Sequence, residues 1–284
     1  MSLSTAAAAV FWTALQFWNP FAPPAPPAPS RAEVSQCLAA PEPMVRRVRM
    51  NAIFFCGRIN DDAIALVRAE LLPTDRVLLI ASFGGVLDAP IYLGELVRDR
   101  ALAVEVVGPC LSGCASFVFV ASRHRSVGPG GVLGLHNTAT SALQLARASG
   151  ALTDEDRPLE VRAHREALLY ASVGVDADLL LEPQVRLETL CLEVGRADAR
   201  TGETRFLIHS RHSLWAPSRA QWRAHGVRFT GQAPYSAVQA RRLLNEAAGT
   251  GIAAAANVTM SDLTLPAPPQ VYLADVERCA PGDR

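Results

Sequence analysis

Three segments inside residues 82–138 decide the fold: "SFGGVLDA" (82–89), "VGPCLSGCASFVFVAS" (107–122) and "VGPGGVLGLHNT" (127–138). Each sets glycine beside an apolar run, the pattern of a buried strand that ends in a tight turn. Upstream, "RVLLIAS" (76–82) is continuously apolar, as strands covered on both faces of a parallel sheet are. "NAIFFCGRI" (51–59) predicts another strand, and "NDDAIALVRAELL" (60–72) a helix opened by Asn and Asp caps. "VLDAPIYLGELVRDR" (86–100) has helical spacing and "AVEVVG" (103–108) reads as strand. "LSGCASFVFVAS" (111–122) is small and apolar all round, which predicts a helix buried inside the domain, and "GVLGLHN" (131–137) a further strand. Alternation of this kind implies an α/β fold with right-handed crossovers.

Further along, residues 141–173 are helical in pattern with a polar break at "TDEDRP" (153–158). "LWAPSRAQWRAHGVRF" (214–229) starts a helix at Pro217 and Ser218 and ends it at Gly226, and "YSAVQARRLLNEAA" (235–248) is amphipathic. At the other end, residues 6–18 are mostly apolar, too short a run for the ~20 residues of a membrane span. They suit the core of an export signal or an anchor, although no Lys or Arg precedes them. "NPFAPPAPPAPS" (19–30) is too rich in proline for helix or sheet and reads as a semi-rigid spacer. The expected organisation is a signal-like segment (1–18), a Pro/Ala-rich linker (19–43), an α/β domain (44–231) and a C-terminal helix with tail (232–284).

Composition excludes some functions. The 284 residues carry 27 basic and 27 acidic groups, so nothing argues for nucleic acid as a partner. Arginine supplies every basic group other than histidine, which removes mechanisms that need a lysine base or Schiff base. The six cysteines are too dilute for a disulfide scaffold and lack zinc spacing, so neither a metal nor any other cofactor is expected. Cys110 and Cys114 bracket Ser112 and are compatible with a bridge or with free buried thiols.

The chemistry concentrates in the opening stretch. A Gly84-Gly85 turn after a strand leaves N–H groups free to bind an anion or oxyanion, and serves equally as a plain tight turn. Ser112, where strand meets helix beside Gly113, fits an N-cap or a nucleophile. His136, at the end of its strand, fits a structural histidine or a general base.

In order and spacing these features resemble the proteolytic subunit of the Clp protease, within the Clp/crotonase superfamily. "IFFCGRINDD", "LLIASFGGVLDA", "GPCLSGCASFVFVAS" and "VGPGGVLGLHN" are similar to its first strand and acidic turn, oxyanion turn, nucleophile helix and histidine strand. "LWAPSRAQWRAHGV" resembles a late helix of the family, so the likeness spans residues 51–229. It implies a spiral of ββα units around a mostly parallel sheet, with Ser112 as nucleophile, His136 as base and Gly84, Gly85 and Gly113 at the oxyanion hole. Exported relatives share a Cys-x-Ser-x-Cys motif, which implies a periplasmic or envelope location. The chain departs from the family pattern at Phe83, where a proline is usual, at the second serine Ser116, and in a longer segment between Gln184 and Leu214. Pro183 falls where the triad aspartate should stand; Glu182 is the nearest substitute, ahead of Asp178 and Asp176.

Three functions follow as expectations. The first is a serine peptidase or related hydrolase that acts on a peptide or protein by acyl transfer, with homo-oligomer formation and membrane association through the N-terminal segment both compatible. The second is a catalytically silent peptide-binding or scaffold protein of the same fold. The third, a crotonase-like acyl-CoA enzyme, fits least well with a serine and histidine in family order.

Overall fold

The apolar runs of the central stretch become neighbouring strands. The computed structural model describes residues 28–85, 88–153, 157–195, 206–234, 236–248, 258–259 and 276–280. Strand β1 (Met44–Arg49) pairs antiparallel with β2 (Ala52–Cys56), and β3 (Val77–Ser82) and β4 (Ala103–Leu111) follow in parallel. β4 is long enough to take two more parallel partners on its far edge. Its residues 104–106 pair with β5 (Arg125–Val127), and residues 109–111 with β6 (Val132–Gly134). A short β10 (Thr230–Gly231) pairs with β5 and completes a seven-stranded, mostly parallel mixed sheet. β2 is buried along its whole length and β3 nearly so, which is why their sequences are continuously apolar rather than alternating.

Helices cross between the strands. α2 (Asp61–Glu70) starts at Asn60, whose side chain accepts from the Ala63 N–H, and two aspartates follow where the positive end of the helix dipole favours them. α3 (Ala89–Asp99) joins β3 to β4, and a π-helix (Cys114–Phe119), entirely buried, leaves β4 for β5. α4 (Ala139–Ala148) and α5 (Arg157–Val173) pack on each other, and α5 is tied to α3 by Arg165–Glu95 and Arg162–Asp88, the latter at 3.1 Å. A 3-10 turn (Ala177–Leu180), α6 (Glu182–Arg186) and a hairpin of β7 (Thr189–Val194) and β8 (Phe206–Ser210) come next. β9 (Leu214–Trp215), which pairs with β11 (Val258–Thr259), precedes α7 (Arg219–Ala224), whose Ser218 and Gln221 form a capping box. α8 (Ala237–Ala248) lays Ala240, Leu243 and Leu244 against Leu111, Val132 and Leu214.

The π-helix is anchored at its far end. Phe119 meets Trp222 edge to face at 5.8 Å and Phe229 at 5.7 Å. Arg125 donates from Nε to the Phe119 carbonyl (3.0 Å) and from its Nη2 to that of Val120 (2.6 Å), a cation at the carbonyl end of a helix. Burial pulls this guanidinium down to about 10, so it stays charged at neutral pH. Trp222 is fully buried, and Trp222→Ala is expected to lower unfolding stability by about 3–5 kcal/mol in a urea titration.

One expectation needs correction. Ordered chain starts well before Met44: Ser30 caps α1 (Arg31–Ala39), which buries Val34 and Cys37 in the linker assigned to residues 19–43. Nine residues with two buried positions leave too little periodicity to read. All six cysteines are paired, as Cys37–Cys56, Cys110–Cys114 and Cys191–Cys279. Spacing alone does not specify such connectivity. The signal-like segment 1–18 lies outside the described residues; among these, no helix is long and apolar enough to cross a membrane.

Candidate active site

Strand register builds the site. Pairing sets Cys110 opposite Ser82 on one side of β4, and Leu111 opposite Gly134 on the other. Parallel strands advance together, so the Gly84-Gly85 turn, Ser112 and the residues after β6 leave the sheet at one level, at its carboxyl ends. The Ser112 N–H donates to the Gly134 carbonyl at 2.8 Å, which fixes the serine beside the strand that delivers His136 two residues later. Leu135 exchanges backbone hydrogen bonds with Trp215 at 2.7 and 2.9 Å and holds that strand end from its other side.

Ser112 adopts φ +55°, a conformation that side-chain-bearing residues seldom take. It turns the chain from β4 into the π-helix within one residue. Its side chain is not used as a cap: the helix start at Gly113 has no side-chain cap, and among the described residues Ser112 Oγ has no hydrogen-bond partner. Gly84 (φ +99°) faces it so closely that a Cβ there would lie 2.6 Å from Ser112 Cβ and 3.0 Å from Oγ. Ser116, the second serine, is buried, and its N–H and carbonyl bond to the Ser112 carbonyl (2.9 Å) and the Tyr170 hydroxyl (2.9 Å). Of the two, Ser112 is the more open, and it emerges from the strained turn.

Gly85, Ser112, Gly113 and His136 line one cavity of about 290 Å³, together with apolar walls from Pro90, Phe117, Ala142, Leu159 and Ile208. The first helical bond after the turn is from the Ser116 N–H to the Ser112 carbonyl, so the Gly113 N–H precedes the hydrogen-bonded helix and is free for a ligand. The Gly85 N–H likewise has no partner among the described residues. Gly84 differs: its N–H already donates to Ser82 Oγ at 3.0 Å. Its contribution here is therefore steric, the absence of a side chain that would push Ser112 away.

Burial pushes the His136 imidazole below its ordinary 6.5, against a smaller opposing effect of a hydrogen bond with the Asn137 backbone. It is accordingly neutral at pH 7, the form a general base needs. Ser112 and His136 share the cavity without a hydrogen bond between them, a contact that commonly tightens only when substrate binds.

The structure does not bring Glu182 to this imidazole. Helical i,i+4 geometry on α6 turns Glu182 Oε2 to Arg186 Nε at 2.8 Å, and Oε1 lies 3.7 Å from Nε2 of a different histidine, His225. Asp176 also faces His225, at 3.2 Å from Nδ1, and Asp178 stands on the 3-10 turn away from the cavity lining. Among the described residues the carboxylate that lines the cavity is Glu166. It accepts from the N–H groups of Ala139 (3.0 Å) and Thr140 (2.8 Å) and from Thr140 Oγ1 (2.6 Å), a buried cap for α4. Burial raises its pKa, while those same donors pull it the other way.

Position 184 lies beside the expected acid. Gln184 is fully buried; its Nε2 donates to Asn137 Oδ1 (2.5 Å) and Ser141 Oγ (3.0 Å), and its Oε1 accepts from Thr189 Oγ1 (2.8 Å). Asn137, Gln184 and Glu166 escaped the sequence reading, because a lone amide or a helix-borne glutamate carries no motif. Comparison of the chain with protein-family models found no match, and comparison with curated proteins found none.

Proposed function

We propose that the protein is a serine hydrolase, a peptidase acting by acyl transfer, on a fold of the Clp/crotonase spiral type. The observation that carries this reading is the convergence in one cavity of a serine at φ +55° with a free Oγ, a neutral histidine, and the N–H groups of Gly85 and Gly113. In the proposed reaction His136 takes the proton of Ser112 as Oγ attacks a carbonyl, and the two N–H groups receive the oxyanion. His136 then returns that proton to the leaving group, and water releases the acyl chain by the same route. The cavity's apolar walls suit an aliphatic or aromatic side chain next to the scissile bond. Three disulfides support export to an oxidising compartment, where such bonds persist.

A fluorophosphonate probe tests the reading. Ser112 is expected to be labelled in the wild type, and both Ser112→Ala and His136→Ala to lose labelling; label retained in Ser112→Ala would overturn the assignment. The sign of the pH dependence follows from the imidazole. A base with lowered pKa stays unprotonated further into acid, so the acid limb of the labelling rate should have its midpoint below 6.5.

A second reading, a silent peptide-binding member of the same fold, is favoured by one observation: among the described residues no carboxylate is hydrogen-bonded to His136. It predicts no labelling at any pH.

A further inference from the structure

We propose that Gln184 is the positioning residue for His136, acting through Asn137 in place of a triad carboxylate. The inference rests on the Ser112–His136 reading and adds how that base is held without an acid. Among the described residues the candidate carboxylates are otherwise engaged: Glu166 caps α4 with both oxygens, and Glu182 faces Arg186 and His225. The segment that carries His136 is nevertheless fixed on both sides. Before it, Leu135 is pinned to Trp215; after it, Thr138 donates its N–H to Ser141 Oγ (3.0 Å) and its hydroxyl to the Leu180 carbonyl (3.1 Å). Between these points Gln184 is the one hydrogen-bond partner of the Asn137 side chain among the described residues, through Nε2 at 2.5 Å.

Gln184 is itself locked. Thr189 Oγ1 is 2.8 Å from Oε1 and 2.7 Å from the Gln184 backbone carbonyl, which sets which end of the amide faces Asn137. A buried amide with a partner at each end has one low-energy orientation, because turning it over would oppose acceptor to acceptor. That rigidity passes to Asn137, the residue next to His136, and so to the backbone from which the imidazole projects. A ring held through its neighbouring backbone is oriented, but no negative charge stabilises the imidazolium that forms during attack. The arrangement therefore yields a slow, well-oriented base rather than a full triad.

The test combines labelling with direct titration of the ring. The groups that line the cavity beside His136 are Glu166 and Arg162 of α5, the latter paired with Asp88 near the start of α3, and none is altered in the variants. Gln184→Glu puts a carboxyl group against Asn137, the residue next to His136. It is expected to raise the His136 titration midpoint, followed by NMR, by about one pH unit, and to move the acid limb of labelling with it. Thr189→Val, which keeps shape while unlocking the amide, is expected to slow labelling about 10- to 100-fold with probe affinity unchanged. A merely structural role for Gln184 would alter melting temperature and leave the labelling rate of Thr189→Val in place; that result overturns the proposal. A wild type that fails to label sinks the hydrolase reading instead, and the His136 ring resonances of Thr189→Val, displaced if Gln184 positions the ring and unchanged if it does not, still decide the positioning role.

Discussion

Gly84→Ala is expected to cut fluorophosphonate labelling of Ser112 by more than about 100-fold while the protein still folds. Two costs meet at this residue. At φ +99° a side chain is strained by about 1–3 kcal/mol wherever it points. Here it points at Ser112: the new Cβ would lie 2.6 Å from Ser112 Cβ and 2.8 Å from the Leu111 carbonyl oxygen, both closer than contact allows. Neither neighbour is a flexible tip that can swing aside. Leu111 is pinned in β4 by β6, so the relief falls on Ser112, whose own φ of +55° is already unfavourable. A displacement near 1 Å is enough to cost two orders of magnitude in a reaction that depends on alignment. Gly85→Ala should be harsher on the fold, since its Cβ would lie 1.9 Å from the Ile59 carbonyl oxygen, at the bridge where Ile59 donates to the Gly84 carbonyl at 2.9 Å. Chemical denaturation should then separate the variants: Gly84→Ala loses labelling out of proportion to stability, and Gly85→Ala loses both. Wild-type labelling in Gly84→Ala would show that Ser112 does not depend on that contact.

The same contact shows what a sequence discloses. The runs "RVLLIAS" and "AVEVVG" predict β3 and β4 because burial on both faces leaves no room for polar residues. Asn60 and Ser218 mark helix starts because their side chains satisfy N–H groups that nothing else can reach. The level at which Ser112 and His136 leave the sheet then follows from strand pairing. Gly84 illustrates the limit: its motif suggests an oxyanion donor, yet its N–H is taken by Ser82 and its role is to be small. Glu182 illustrates another. Proximity in sequence to Pro183 made it the natural acid, but a residue on a five-residue helix faces whatever the helix turns it toward, here Arg186 and His225. Helix α1 was hidden for want of periodicity, and the amide of Gln184 for want of any motif.

Opening the Cys110–Cys114 disulfide is expected to slow Ser112 labelling far more than it destabilises the protein. The bond joins residues four apart, with Cα atoms 5.1 Å from each other, and Ser112 is the middle residue of the ring it closes. Loop-closure entropy for so short a ring contributes only about 2 kcal/mol, whereas Cys191–Cys279, with a separation of 88, contributes about 4–5 kcal/mol on the same basis. Stability therefore depends mainly on the long loop. The short one acts locally: Cys110 is the strand residue paired with Ser82 and Leu133, and Cys114 begins the π-helix, so the bridge holds strand and helix at the separation that forces Ser112 to φ +55°. Without it the turn is free to relax toward ordinary backbone, carrying Oγ away from the N–H groups of Gly85 and Gly113. The Cys110→Ala/Cys114→Ala double variant should thus label at least about tenfold more slowly, with a modest fall in melting temperature. Cys191→Ala/Cys279→Ala should show the reverse, a large fall in melting temperature and near-wild-type labelling below it. Equal loss of labelling in both, in proportion to stability, would mean that the short bridge merely braces the fold and does not shape the nucleophile.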